Sequence, residues 1–505
     1  MLESLGGGFL ALLTVGGILA MLLGLVWGTI GSALPGVSGP QAMALLLPLT
    51  FVMDVETALM LLAGVWVGAN YGGSIPAILI RTPGTASSAA AVIDGNALAR
   101  QGKAGKALGV SLVCGSIGGF ISIVVLIALV VPLGELALSF ASPEIFAMTI
   151  FGLTVIATVA GRSVAKGIAA ALFGLLLTTV GLDQIAGSPR FTLGRPELLG
   201  GFEIIAVLIG FFAVAEMLYQ IAHPHQISAT IDRSVTTKLP TLRELLGLWR
   251  STLIGSLVGI VVGIAGAGGA VSSFVAYAEA KRWSKHPEMF GKGSMEGVAA
   301  PETANNSDQG GALVPALTLG IPSSASAAII LAALILQGVQ PGPTLITERS
   351  DIVFTFFAAL LVTNVLMIPV GMAILRLCMA MVSVSAPLLT SGVLVLSLTG
   401  TYSLNRNPVD VLVAVGFGLI GYAMKTYGFS PAAAVLGLVL GYIMEGELRR
   451  SMIMSLGSPD IFLSRPIAAV ILVLAALVLM RPLISRGLRA ARPGRSSTST
   501  KVHSQ

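Results

Sequence analysis

Long runs without a charged residue constrain the fold of this chain more than any other feature. Residues 9–30 and 108–131 contain no Asp, Glu, Lys or Arg. Each run can cross a bilayer as a helix, which takes about 20 apolar residues. Runs of this kind predict roughly ten to thirteen membrane segments. The first run has the position of a signal sequence but lacks a basic start and a cleavage pattern, so we expect it to form the first membrane helix.

The charge content excludes most soluble proteins. Only 10% of the 505 residues are charged, whereas soluble domains carry about 25%. The net charge of +6 comes from bases in short loops and in the tail after Arg481. Such bases report membrane topology rather than nucleic-acid binding, and they place the loop 100–106 and the carboxyl terminus in the cytoplasm. Cys114 and Cys378 lie in apolar runs and are expected to be packed thiols.

Two similar stretches interrupt the apolar pattern. They read GGSIPAILIRTPGT at 72–85 and GGALVPALTLGIPSS at 310–324. In each, two prolines stand seven residues apart, Pro76 with Pro83 and Pro315 with Pro322. Broken apolar segments at matching places in two halves of a chain indicate a transporter's binding site. The stretches therefore predict two re-entrant hairpins, residues 72–95 and 310–340, with ordinary helix kinks as the alternative.

A second pair of breaks precedes the hairpins. ALPGVSGP at 33–40 matches GIAGAGGA at 263–270, with Gly36 aligned to Gly266 and Gly39 to Gly269. The offset is 230 residues at these breaks and 239 at the hairpins, so the second half has nine extra residues, which we place in the basic loop 281–290. The polar segment 223–250 separates the halves, and within it 242–249 predicts a short amphipathic helix.

These boundaries predict a duplicated membrane protein. Repeat 1 covers 1–222, the linker 223–250, repeat 2 251–484, and a basic, disordered cytoplasmic tail 485–505. The loop after the first hairpin is basic and the loop after the second is nearly balanced in charge, which favours inverted repeats. The predicted fold class is an all-α polytopic membrane protein with two inverted repeats, each with a broken helix and a re-entrant hairpin.

The hairpin tips are candidates for anion binding. A helix that starts at a tip offers free N–H groups and a partial positive charge without a basic side chain. Arg81 stands beside the first tip, where it can pair with a substrate carboxylate, or equally extend to the membrane surface or bind a local carbonyl. The candidate substrate-binding residues are Arg81, Thr82, Pro83, Gly84 and Thr85 in the first tip and Pro322, Ser323 and Ser324 in the second.

The segment 293–309 is polar where the first half is apolar. It contains Glu296, Glu302, Asn305, Asn306 and Asp308. Within the membrane these oxygens suit a hard cation or proton transfer, whereas in a loop they are only solvated. The candidate cation-binding residues are Ser38, Gly39, Asn70, Gly266, Gly269, Asn305 and Asn306.

Motifs of other function classes are missing from the sequence. It has no G-x-x-x-x-G-K-[ST], H-E-x-x-H or G-x-S-x-G pattern, and its four histidines fall in polar loops or the tail. We therefore expect no catalytic residue and no resident cofactor, and the only metal considered is a coupling sodium ion. A membrane-embedded enzyme, or a scaffold for other subunits, is the alternative from another class.

Several long motifs resemble one transporter family. They are GSALPGVSGPQAMALLLPLTF (31–51), YGGSIPAILIRTPGT (71–85), DGNALARQGKAGKALG (94–109), AEAKRWSKHPEMFGKGSMEGVAAPETANN (278–306) and TLGIPSSASAA (318–328). Together they are similar to the large membrane subunit, TctA type, of the tripartite tricarboxylate transporters. The chain departs from the family pattern in two places: it has Arg81 where the family commonly has Asn, and Ala265 where the family commonly has Pro.

The resemblance implies a bacterial inner-membrane symporter that imports citrate or other di- or tricarboxylates with sodium ions or protons. It implies a small membrane subunit (TctB type) and a periplasmic solute-binding protein (TctC type) as partners. It also implies a distant likeness to elevator-type ion transporters. A self-sufficient transporter or an exporter is the nearer alternative.

Overall fold

The structure is a computed structural model that describes residues 2–34, 37–159, 163–183, 186–223, 235–342, 344–382 and 386–490. The first half is helical. Its helices are α1 (Leu2–Leu12), α2 (Val15–Ala33), α3 (Gly39–Thr50), α4 (Val55–Gly72), α5 (Ser74–Ile80), α6 (Ala91–Leu98), α7 (Ala104–Leu138), α8 (Ser142–Val159), α9 (Val164–Thr178), α10 (Ile204–Ile209) and α11 (Ala215–Ala222). Short 3₁₀ or π turns occupy Ala86–Ala89, Ala99–Lys103, Pro196–Leu198 and Gly210–Val214.

The second half is helical in the same way. Its helices are α12 (Leu242–Gly247), α13 (Trp249–Ile264), α14 (Gly268–Trp283), α15 (Glu296–Leu319), α16 (Ala325–Leu336), α17 (Leu345–Glu348), α18 (Ser350–Val382), α19 (Ala386–Asn405), α20 (Pro408–Thr426), α21 (Pro431–Met454), α22 (Ile461–Ser464) and α23 (Pro466–Ala490). A 3₁₀ turn occupies Pro287–Met289. Across the described residues the only sheet is a two-stranded antiparallel ribbon of β1 (Gly181–Leu182) and β2 (Pro189–Arg190).

Side-chain caps mark where several helices begin. Thr14, Asp54, Ser324 and Ser430 each accept a hydrogen bond from a backbone N–H in the first turn of the following helix. Such caps satisfy donors that have no partner within the helix. The starts of α2, α4, α16 and α21 are therefore encoded locally.

Seven helical segments of the described chain are long and apolar enough to cross a membrane. They are Val15–Ala33, Val55–Ile80, Ala91–Glu135, Ile204–Ala222, Ser350–Ala380, Pro408–Thr426 and Pro431–Met454. Four shorter apolar helices, Val164–Thr178, Trp249–Ile264, Ala325–Leu336 and Pro466–Met480, are further candidates. The multi-pass, all-α fold class is thus confirmed, while the number of spans stays a prediction.

The order of elements repeats between the halves. In each half a helix breaks (α2 to α3, α13 to α14), a long helix runs to a tip, and a shorter helix returns from it (α6, α16). The tips match in detail. Arg81 and Gly320 both have left-handed backbone, with φ of 60° and 71°, and their N–H groups donate to the carbonyls of Pro76 and Pro315. The 239-residue offset found in the sequence therefore matches equivalent backbone geometry.

The halves interlock rather than lie side by side. Helix α7 of the first half packs on α15 of the second, while α18 of the second half packs on α4 of the first. Likewise α9 packs on α21, and α20 packs on α10 and α11. Such reciprocal packing of helices from one half on helices of the other is expected of two repeats that are related by a two-fold axis. The inverted orientation of the repeats in the membrane stays a prediction.

The linker and the tail are described in part. Residues 224–234 and 491–505 lie outside the described residues. Helix α12 forms where the amphipathic helix is expected, and Lys106 donates a hydrogen bond to Glu244 on it. That hydrogen bond holds the pKa of the Glu244 carboxyl below its ordinary value. Helix α14 extends to Trp283, so the first residues of the expected insertion are helical.

Glycines bring the two central helix pairs into backbone contact. A Cβ on Gly28 of α2 would lie 2.2 Å from the Val65 carbonyl oxygen of α4, and one on Gly64 of α4 would lie 2.5 Å from the Met21 carbonyl oxygen. In the second half, a Cβ on Gly259 of α13 would lie 2.5 Å from the Ala304 carbonyl oxygen of α15. Small residues at helix interfaces permit such approach in membranes. These contacts set the positions of the helix ends that form the site.

This packing predicts that replacement of glycine by alanine changes the stability of the protein differently at two positions of α2. Gly28→Ala should destabilise the protein by about 1–3 kcal/mol, because the added carbon overpacks the interface with α4. Gly16→Ala should be neutral or stabilising by up to about 1 kcal/mol, because nothing lies within 4 Å of its added carbon. Thermal unfolding of both variants in detergent measures the difference. Equal stability of the two variants would contradict the backbone contact.

Candidate functional site

A cavity of about 480 Å³ lies where the breaks and the tips of both halves meet. Ser38 and Gly39 come from the first break and Gly266–Val271 from the second. Thr85–Ser87 come from the first tip and Ser323–Ser326 from the second. Trp66, Phe212, Ala432 and Leu436 close it on the apolar side. The four sequence features that predict the site thus converge in space, with a volume suited to a small organic ligand.

Each tip is fixed against the break of its own half. The Gly84 N–H donates to the Gly73 carbonyl at 3.0 Å, and a Cβ on Gly84 would lie 2.1 Å from the Ser32 carbonyl oxygen. At the equivalent place in the second tip, the Ser323 hydroxyl donates to the Gly263 carbonyl at 2.9 Å. The first tip is held by close backbone contact and the second by a hydrogen bond. Each contact is made with α2 or α13, so the helix pairs of the two halves position the tips.

Amino ends of three α-helices face the cavity. Helix α3 begins at Gly39, α14 at Gly268 and α16 at Ala325, and each start lies in the cavity wall. In the first tip, the 3₁₀ turn Ala86–Ala89 leads into α6. Helix amino ends carry partial positive charge and free N–H groups. Among the described residues that line the cavity none is basic, so these backbone groups are its source of positive potential.

A polar cluster of Asn70, Asn305 and Asp308 lines the wall next to the second break. The Asn305 side chain donates to the Asn70 carbonyl at 3.4 Å. Neither the Asn70 Nδ2 nor the Asp308 Oδ1 has a hydrogen-bond partner in the described part of the chain, although both atoms are buried. A buried polar atom without a partner is costly. An unpartnered carboxylate oxygen beside amide oxygens is the donor set that a hard cation takes.

The polar segment before the second hairpin is a buried helix. Residues 297–314 of α15 are all buried, and Glu302 is only 1% exposed. The alternative in which this segment is a solvated loop is therefore wrong. Its carboxylates and amides lie in the protein interior because α7, α13 and α14 pack around the helix.

Nine of the predicted site residues line the cavity. They are Ser38, Gly39, Asn70, Thr85, Gly266, Gly269, Asn305, Ser323 and Ser324. Thr82, Pro83, Gly84 and Pro322 belong to the tips but are not part of the cavity lining. Asn306 is buried, and its side chain donates to the Glu302 carbonyl at 3.0 Å. Arg81 is exposed, outside the cavity lining and in none of the ion pairs of the described residues, and its role as a carboxylate ligand stays a prediction.

Three hydroxyl or carboxyl residues of the cavity lining are not among the candidate site residues predicted from the sequence. Ser87 and Ser326 follow the tips directly, and Asp308 follows Asn305 by three residues. Spacing of three places residues on one helix face. Reading 293–309 as a helix would have put Asp308 on the face of Asn305, and Glu302 one turn before it.

The chain is similar to one known protein family over most of its length. Residues 18–436 match the tripartite tricarboxylate transporter TctA family. A relative from Agrobacterium vitis, the "Uncharacterized 52.8 kDa protein in TAR-I ttuC' 3'region", is 37% identical over 475 residues, which is 94% of either chain. Another, the "Uncharacterized protein in TAR-II ttuC' 3'region" of the same organism, is 37% identical over 230 residues, 46% of this chain and 94% of the relative. No solved structure matches the chain.

The matched tips predict a pair of opposite stability changes. Arg81 has left-handed backbone, which costs a side-chain-bearing residue about 1–2 kcal/mol. Arg81→Gly should therefore stabilise the protein by about 1 kcal/mol after the entropy of glycine is included. Gly320→Ala should destabilise it by a similar amount, because its Cβ would also approach the Pro341 carbonyl oxygen at 3.2 Å. Thermal unfolding of both variants measures these changes. If Arg81→Gly is less stable than the unmodified chain, the Arg81 side chain anchors the tip and the prediction is wrong.

Proposed function

We propose a mechanism of carboxylate import for this chain, which belongs to the tripartite tricarboxylate transporter TctA family. The chain is accordingly a multi-pass membrane subunit of a tricarboxylate transporter. The proposal is that it forms the large permease subunit of a binding-protein-dependent secondary transporter. It imports di- or tricarboxylates of the citrate type in symport with a cation.

One observation carries the proposal. A single cavity is lined both by helix amino ends, which attract an anion, and by an unpartnered carboxylate with neighbouring amides, which attracts a cation. Discontinuous helices in secondary transporters combine these two features, with substrate carboxylates at amino ends and cations at unwound backbone. A site that takes both ions together is the minimal requirement for symport.

The substrate carboxylates would be bound by the two tips. Thr85 and Ser87 on one side and Ser324 and Ser326 on the other present hydroxyls and the first N–H groups of the returning segments. Two donor groups facing one cavity can bind the two ends of a dicarboxylate or two arms of a tricarboxylate. Arg81, which is exposed outside the cavity, is the basic residue that we propose guides the anion towards the first tip.

The cation would be bound between the second break and α15. Asp308 supplies a carboxylate, Asn70 and Asn305 supply amide oxygens, and Gly266 and Gly269 bring the broken backbone close. An added Cβ on Gly269 would lie 3.1 Å from the Asn305 Oδ1, so glycine is what allows this approach. Bound cation neutralises Asp308 and reduces its repulsion of the incoming carboxylate. Binding of the two ions is therefore mutually favourable.

The partners follow from the family. A small membrane subunit of the TctB type and a periplasmic solute-binding protein of the TctC type would complete the transporter in the bacterial inner membrane, with the carboxyl terminus in the cytoplasm. The tips and breaks would move together as an elevator, because the helix pairs α2–α4 and α13–α15 fix them to one another.

Reconstituted transport tests the proposal. The chain is placed in proteoliposomes with the two partners, and uptake of labelled citrate, dicarboxylates and aromatic acids is measured with and without the binding protein. We expect uptake that requires both a sodium or proton gradient and the binding protein. Absence of such uptake for every organic acid would overturn the function. Uptake without the binding protein would instead indicate a self-sufficient transporter.

Asp308→Asn should reduce initial uptake by at least about tenfold. The substitution removes the charge that balances the cation while it keeps the size of the side chain. Initial rates are measured as a function of sodium at fixed pH and of pH at fixed sodium. Asp351→Asn, at an exposed acid on α18, is the matched control and should behave as the unmodified chain. A wild-type cation dependence in Asp308→Asn would remove this residue from the cation site.

A further inference from the structure

Glu302 is a buried carboxyl that the proposed substrate and cation sites do not use. Its side chain accepts a hydrogen bond from the Ser74 hydroxyl at 2.7 Å and from the Ser111 hydroxyl at 2.9 Å. It is in none of the ion pairs of the described residues. A carboxylate buried without a cation loses its hydration, so the neutral, protonated acid is favoured there.

A chain of hydroxyl groups links Glu302 to the cavity. The Ser74 Oγ lies 3.2 Å from the Ser88 Oγ, and the Ser88 Oγ lies 2.8 Å from the Thr85 Oγ1. Thr85 lines the cavity at the first tip. Each hydroxyl can both donate and accept a hydrogen bond. The hydrogen bonds therefore run without a gap from the cavity to the carboxyl, through the tip and the helix that supports it.

The chain of hydroxyls ends at Glu302. On its far side Ser111 donates to the carboxyl, and within the described residues its hydroxyl has no further hydrogen-bond partner. The hydrogen-bonded route from Glu302 through these hydroxyls therefore leads to the cavity between the tips. Shared access to one cavity is what couples a proton to a substrate in alternating access.

The other ionisable groups near Glu302 are either uncharged or in contact with other residues. The Cys114 thiol of α7 and the Tyr71 phenol of α4 are buried neighbours, and thiols and phenols are ordinarily uncharged at neutral pH. Asp94 of α6 accepts from Tyr277 of α14 and from the loop 291–294. On α15 itself, Glu296 accepts from Ser284, and Asp308 faces the cavity. On α13, Arg250 lies over the ring of Trp249.

We propose that Glu302 is a proton-binding site of this transporter, loaded from the cavity through the hydroxyls of Thr85, Ser88 and Ser74. A proton that reaches the Thr85 Oγ1 releases that group's own proton to Ser88, Ser88 releases one to Ser74, and Ser74 releases one to a Glu302 carboxylate oxygen. Each hydroxyl breaks one O–H bond and forms another, so only the carboxylate changes charge. The role of this proton in import rests on the proposed function, whereas the proton site itself does not.

Infrared difference spectroscopy of the full chain in lipid nanodiscs tests the site without any substrate. Spectra at acid and alkaline pH are compared, in sodium and in choline buffer. The unmodified chain should show the carbonyl band of a protonated carboxylic acid that alkali removes. In sodium buffer, where a cation at Asp308 would keep that carboxylate ionised, Glu302→Gln should lose this band and Asp308→Asn should retain it. A band that Glu302→Gln leaves in place, or that follows sodium instead of pH, would overturn the proposal.

A second variant tests the hydroxyl chain even if Glu302→Gln does not fold. In Ser88→Ala the band should remain, but its fast response to a pH jump should be lost. Ser122→Ala is the matched control, since Ser122 is a buried serine of α7 that donates only to the nearby Gly119 carbonyl. An unchanged response in Ser88→Ala would contradict the proposed route.

A trapped pH dye then tests coupling in proteoliposomes that contain the partners. Citrate import by the unmodified chain should acidify the lumen, and Glu302→Gln should import without acidification or not at all. Acidification by Glu302→Gln equal to that of the unmodified chain would overturn proton coupling through this residue. If the chain transports no organic acid, the proposed function is wrong. The infrared experiment tests the proton site independently of transport.

Discussion

Backbone contact between two pairs of helices determines where the candidate functional site forms. The pairs α2–α4 and α13–α15 approach so closely that side chains at Gly28 or Gly259 would collide with a neighbouring carbonyl. Each pair therefore fixes a helix break to the tip of the same half, through the close contact of Gly84 with Ser32 and the hydrogen bond from Ser323 to Gly263. The interlocking of the halves then brings both breaks and both tips to one cavity.

The electrostatics of the cavity depend on backbone rather than on basic side chains. Helix amino ends attract anions without the desolvation penalty of a buried ammonium or guanidinium group. A buried basic side chain would bind a carboxylate tightly in every conformational state. In a site that includes a cation at Asp308, the affinity for the carboxylate would rise only when the cation is bound. Hydroxyls connect Glu302 to the same cavity, and as the proposed proton site it would add a second charge that can be neutralised and released.

The sequence predicted the broken elements well because Gly and Pro act locally. Pro83, Pro322 and the Gly-rich breaks interrupt helices, although Pro301 and Pro315 lie within α15, and the repeated spacing located the tips and part of the cavity lining. Capping residues act locally too. For this reason nine candidate residues line one cavity, while their role in binding stays a prediction.

Other features depend on long-range packing and could not be read from the sequence. Helix propensity is weak in a segment such as PETANNSDQ, and only burial by α7, α13 and α14 makes it part of α15. The hydrogen bonds of Glu302 join Ser74 and Ser111, which lie 228 and 191 residues away. Arg81 is exposed, outside the cavity, and has left-handed backbone at the end of α5, and no local motif predicted either feature.

We propose that one cavity between the two tips binds the carboxylate and the cation together. A cryo-electron microscopy map of the chain with citrate and sodium would locate both ligands. We expect ligand density between Thr85–Ser87 and Ser324–Ser326, with a second, smaller density against Asp308, Asn70 and Asn305. Citrate density at Arg81 outside the cavity, or a cavity that stays empty in a map where citrate is bound elsewhere, would contradict it.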